Sequence, residues 1–161
     1  MRYVLVGLLF VASAVFAASP NDSCLAKSCA VGDHAVTRAS KAEPFYACPT
    51  RELASYTSTV IGLIALQYSL TGTLPNISDR TGEPEYGDSN GKPNQTRLLV
   101  DAKRRQAGVS TFDQAIAACA LGRNRAKVTV LNYQPDDGVA YVHDEARKTN
   151  YWMPISSLDK R

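Results

Sequence analysis

The chain has 161 residues, 45% of them hydrophobic, and carries 18 basic against 15 acidic side chains for a formal net charge of +3. That length fits one domain with a real core, and the near-balanced charge, with no basic stripe interleaved with aromatics, gives no case for nucleic acid. The four cysteines lack the C-x-x-C spacing of zinc or thioredoxin-like sites, so neither a metal nor a cofactor is expected.

In chain order, the first expected element is an export signal. Arg2 supplies a positive start, and Val4 to Phe16 form an apolar run of the length a secretory signal needs. The run is too short, and too soon followed by Ser19-Pro20-Asn21-Asp22, to span a membrane. Val15 and Ala17 place cleavage after Ala17, which leaves residues 18–161 as one mature domain. No cysteine stands directly after that cut, as a lipoprotein would need. An even number of cysteines in an exported chain points to a disulfide framework. Three pairings are open. Cys24 and Cys29 can close a local loop in a polar segment, which leaves Cys48 and Cys119 to bridge distant parts of the chain. A distant bridge restricts the unfolded state most.

Residues 34–47 read as an extended segment bent at Pro44, with Phe45 and Tyr46 favouring strand. Thr50 then offers an N-cap, Pro49 suits a helix start, and Glu52 falls in the first turn where the dipole favours it. From Leu53 to Leu70 there is no charge; Leu53, Tyr56, Val60, Leu63 and Leu70 form one helical stripe, and Gly72 is the expected stop. Three serines, three threonines and Gln67 in 53–71 argue against a membrane span. The expectation is a helix buried against its own domain, with no stable membrane span.

Prolines and glycines among polar residues make 73–94 a long loop, and loops of that length are often functional. Within it, Glu83, Glu85 and Asp88 around Tyr86 form an acidic piece that can face a basic partner; these four are the candidate binding residues. Gln95 to Gln106 predicts a short helix with Leu98, Leu99 and Ala102 inward and Gly108 as terminator. Its Lys103-Arg104-Arg105 run reads as a solvated end. Ser110 or Thr111 can cap another short helix through Ala117.

From Cys119 the pattern turns to β. "KVTVLNY" sets Val128 and Val130 against Thr129 and Leu131, "QPDDG" is a turn in which proline presets φ and Gly138 takes the left-handed position, and "VAYVHD" returns as the second strand of a hairpin. The close, "NYWMPISSLDKR", holds an aromatic pair, a Met-Pro step, a polar turn and a last leucine. Together, residues 127–161 resemble the second half of bacterial Src-homology-3-like domains. There a V-x-V-L strand, a hairpin, a tryptophan-aliphatic-proline step and a final leucine complete a small barrel. Trp152, Met153, Pro154 and Leu158 match that ending in order, and "AVTRASKAEPFYACP" looks like the family's first strand and wandering loop. The resemblance implies an α+β chain: a small, disulfide-stapled barrel with strands at about 34–48 and 119–161 and a helical insertion at about 50–118. Met153 and Leu158 would plug such a barrel. Tyr151 stands where the family has glycine, and Ser157 where eukaryotic relatives have a ligand-holding tyrosine, so no ligand residues carry over.

Catalytic candidates are few: His34, His143, the run His143-Asp144-Glu145, and cysteines expected to be oxidised. No motif sets a nucleophile, a base and an oxyanion donor together, and a Cys–His nucleophile needs a free thiolate. The expectation is an exported, non-catalytic binding or accessory protein of the bacterial envelope, periplasmic or secreted. Its partner would be another exported protein, in an inhibitor, immunity or assembly role. The alternatives are a cell-wall peptide-binding module and, behind both, a small secreted hydrolase.

Overall fold

A computed structural model describes residues 22–41, 43–87 and 94–161; the expected signal, 1–17, lies outside them. The fold is α+β. Strands β1 (His34–Thr37) and β2 (Tyr46–Ala47) precede helices α1 (Arg51–Thr71), α2 (Gln95–Gln106) and α3 (Phe112–Ala117), and strands β3 (Ala120–Leu121), β4 (Lys127–Gln134), β5 (Val139–Asp144), β6 (Thr149–Pro154) and β7 (Leu158–Lys160) follow. Five strands form one antiparallel sheet in the order β6-β5-β4-β1-β7, and β2 pairs with β3 apart from it.

The sheet is built on period-two burial. Val128 and Val130 are fully buried, and a register shift between Val130 and Asn132 leaves Leu131 facing outward. At the β4–β5 turn, Pro135–Asp137 makes one 3-10 turn and Gly138 follows at φ 70°, which only glycine adopts freely. β1 lies between strands distant in sequence, with His34 opposite Thr129 and Thr37 opposite Leu158. One face of the sheet buries Ala35, Val130, Val142, Met153 and Leu158 around Phe45, so the closing segment of the chain is core.

The expected barrel is not closed. β6 and β7 are the two ends of the strand order and no ladder joins them. Both edges of the three-residue β7 are already taken, by β1 on one side and by Ser23 and Cys24 on the other, where the Cys24 N–H donates to the Leu158 carbonyl at 2.8 Å. The outer edge of β6 is capped by Cys48, which exchanges two backbone bonds with Trp152 at 2.8 and 2.9 Å.

Helix α1 begins and ends as its sequence predicts. The Thr50 hydroxyl accepts from the Leu53 N–H, and the N–H of Gly72, at φ 72°, donates to the Tyr68 carbonyl. Its first half lays Leu53, Tyr56 and Val60 into a second core with Cys48, Val100, Ala115 and Val139. Burial along its whole length does not hold: beyond Val60 no residue of α1 is buried, and Leu70 is 75% exposed. The sheet is only six to eight residues tall where α1 crosses it, so a helix of 21 residues overshoots it. Helix α2 covers little of the overhang. Its inward residue is Val100, and that phase turns Leu98 and Leu99, expected inward, toward solvent.

Both disulfides join the expected cysteines. Cys24–Cys29 closes a local loop against the sheet core, and Cys48–Cys119 spans 71 residues to tie the start of α1 to the end of α3.

Candidate functional site

The acidic loop is not one uniformly solvated surface. Glu83 is buried: it accepts a hydrogen bond from the Tyr56 hydroxyl at 2.5 Å and pairs with the Arg104 guanidinium, which also holds Asp101. Burial, then the bond to Glu83, pushes the Tyr56 phenol far above its ordinary range. Glu83 is thus a structural acid joining α1, the loop and α2, and its carboxylate does not face solvent for a partner. Glu85 is exposed beside it, Tyr86 is half-buried with its phenol raised by that burial, and Asp88 lies outside the described residues. The basic run at the end of α2 is likewise divided. Arg104 belongs to the Glu83 pair, Lys103 donates to the Ser55 hydroxyl at 2.6 Å, and Arg105 is exposed. Neither partner of Glu83 was legible, because Tyr56 and Arg104 sit on different helices, 27 and 21 positions away.

The histidine cluster is drawn into turns and pairs. Asp144 is buried, pairs with Arg123 and accepts from the N–H groups of Ala146 and Arg147. Burial opposes its ionisation, but the Arg147 N–H, Arg123 and the Ala146 N–H together hold its carboxyl below the ordinary value. Glu145 pairs with His34 at 3.0 Å, and His143 bonds Asn150 at 2.7 Å. All four cysteines are in disulfides, and among the described residues no group of three or more His, Cys, Asp or Glu is placed to hold a metal.

What the fold does shape is a groove of about 270 Å³ between the β1–β2 connection, α1 and the turn after β6. Phe45, Tyr46 and Pro154 line it from the sheet side, and Ile61, Gly62 and Ala65 from the helix. Phe45 is locked in place: its carbonyl accepts from the Gly122 N–H at 2.8 Å, and its ring lies so close to Gly122 that a Cβ there would come within 2.3 Å. One lip is Arg38, whose guanidinium donates to the Ser156 carbonyl and whose N–H donates to the Ser157 carbonyl, both at 2.8 Å. The other is Glu43, whose N–H donates to the Ser40 hydroxyl at 2.9 Å. Gly62 faces open space, with no atom within 4 Å of where its Cβ would stand. An apolar floor with a charged residue of each sign on its lips suits an extended segment that places one apolar side chain inward and its polar backbone along the rim. Sequence reasoning missed this site, since its walls come from three segments that only the fold brings together. Compared with known protein families, curated proteins and solved structures, the chain matches none.

Proposed function

We propose that this protein is an exported, non-catalytic accessory domain of a bacterial envelope that binds a short apolar segment of another exported protein. The groove between Phe45 and Ile61 is the observation that carries this reading: it is open, pre-formed, and lined by an inserted helix on one side and the sheet on the other. Two disulfides fit an oxidising compartment, in line with a periplasmic or secreted location. The Src-homology-3-like reading is supported by the β4–β5–β6 meander, the Ile155–Ser157 turn and the return of β7 to β1. An inhibitor, immunity or assembly role uses the same kind of contact, a segment of the partner seated in a fixed groove.

The test is site-directed photocrosslinking at Ser58, on the helix side of the groove, in the native envelope. One crosslinked exported protein is expected, and Gly62→Phe, whose Cβ would have no atom within 4 Å and whose ring would occupy the groove, should abolish the adduct while the fold melts as wild type. An adduct that survives Gly62→Phe, or none at all, overturns the reading. Saturable binding of soluble cell-wall peptides, read as NMR shifts confined to the groove, would replace the protein partner with a wall fragment.

A further inference from the structure

We propose that the cleft along the outer edge of β6, beyond its contact with Cys48, holds the carboxyl terminus of a protein chain. Arg147, Arg123 and the Tyr151 hydroxyl take the carboxylate, and the Asn150 backbone pairs with the last peptide unit. The cleft has a volume of about 390 Å³ and lies between residues 47–49, 120–123 and 149–151, with Arg147 at its end. It shares no lining residue with the groove at Phe45 and Ile61. It is a second site and does not rest on the first.

Three observations converge on this occupant. The first is a free strand edge. Trp152 exchanges both of its outer backbone bonds with Cys48, so by the alternation of a strand Asn150 turns its N–H and carbonyl to the same edge. After Cys48 the chain leaves for the start of α1, and among the described residues no backbone bond outside the ladder takes those two groups of Asn150. The second is a surplus of donors. Asp144 is the one carboxylate among the described lining residues, and both its oxygens are engaged, by Arg123 on one side and by the N–H groups of Ala146 and Arg147 on the other. Two guanidiniums face it, which leaves the cleft one positive charge in excess, and Arg123 keeps donors beyond those turned to Asp144. Among the described residues, neither the Arg147 side chain nor the Tyr151 hydroxyl holds a hydrogen bond of its own. Burial, then the charge of Asp144, pushes the Tyr151 phenol up to about 12, so it stays protonated as a donor. The third is an apolar rim. Leu121, 64% exposed, and Pro49 offer a seat for the side chain next to the carboxylate. Because Cys48 closes the edge at Trp152, a strand cannot run through and only a chain end fits. A surround of guanidiniums and a phenol selects the carboxyl end over the amino end.

The experiment is an NMR titration of the processed protein with N-acetyl-Ala-Leu-Ala ending in a free carboxylate, and with the same peptide ending in an amide. The acid should give saturable shifts at the backbone amides of Arg123, Asn150 and Tyr151, and the amide should bind at least tenfold more weakly, the loss of one charge-assisted pair. Arg147→Gln should lower affinity for the acid at least tenfold with an unchanged melting temperature, since the backbone N–H on Asp144 is kept. Tyr151→Phe should lower it severalfold, and Gly62→Phe, in the other groove, should leave it unchanged. Absence of a saturable shift at millimolar peptide would overturn the proposal, as would equal binding of acid and amide or an Arg147→Gln variant that binds as wild type. Acetate binding as tightly as the peptide would overturn the part given to the strand edge. A tighter fit for the same peptide ending in D-alanine would overturn a protein as its source.

Discussion

The Tyr56 hydroxyl donates to the Glu83 carboxylate at 2.5 Å, and both side chains are buried. The bond fastens the loop after α1 to the centre of α1, and Arg104 brings α2 to the same carboxylate. Removing Glu83 leaves the buried Tyr56 phenol without its acceptor and the Arg104 guanidinium with Asp101 alone, close to the situation in which a broken buried pair costs about 3–5 kcal/mol. Glu83→Ala should therefore move the urea midpoint strongly. Glu85→Ala, two residues along and exposed, should change stability by no more than about 0.5 kcal/mol. Equal effects from the two variants would refute this division of the acidic loop.

The Cys48–Cys119 bridge encloses 71 residues. A cross-link of that span restricts the unfolded chain by about 4 kcal/mol. Replacing both cysteines with alanine should lower stability by about that amount. Replacing Cys24 and Cys29, only 5 apart, should cost about half as much by the same relation. Thermal melts of the two double variants, with peptide mapping of the remaining bridge, check the order.

Gly122 has no unusual backbone angle to protect; what it protects is space. A methyl there would meet the Phe45 ring at 2.3 to 2.5 Å, and that ring is buried in the sheet core. Gly122→Ala should destabilise by about 1–3 kcal/mol, as overpacking does. It should also weaken whatever binds the groove, because Phe45 is part of its wall. A variant that melts and binds as wild type would show the ring free to shift.

Asp144 sets part of the acid limb of stability. Its folded pKa is lowered below 3.8, so its contribution is complete above about pH 5, where both folded and unfolded carboxyls are ionised. As pH falls further, the unfolded carboxyl takes up its proton first and that contribution drains away down to the lowered folded value. Asp33 and Glu145, also lowered by their partners Lys160 and His34, add to the same slope. Asp144→Asn should thus lower stability at pH 7 and flatten its decline below about pH 5. Denaturant titrations at several pH values measure the difference.

Local chemistry made much of this fold legible. The Thr50 cap, the Gly72 stop, the Thr111 cap and the Gly138 turn all act within a few residues of the chain, and each boundary falls where those residues put it. Met153 and Leu158, expected from the family resemblance to plug a barrel, are buried in the open sheet's core. What could not be read depends on distant partners. The periodicity of α1 marks apolar positions but not where the sheet beneath them ends, so Leu63 and Leu70 share a stripe with Tyr56 and not its burial. Glu83 resembles its exposed neighbour Glu85 until Tyr56 and Arg104 are placed around it. Strand content was legible as well, whereas closure was not, because the capping of β6 by Cys48 and of β7 by Ser23 leaves no trace in strand periodicity.

The position of β1 between β4 and β7 carries a kinetic consequence. Its four residues can pair only after loops of about ninety and one hundred and twenty residues have closed. The β4–β5–β6 meander and α1 need no such closure, so they form early and wait. During that interval, the uncharged face of α1 and the bare edge of β4 are exposed together. Folding should then be slow and topology-limited, and a chaperone that shields α1 until β1 docks should raise the yield more than any catalyst of disulfide formation.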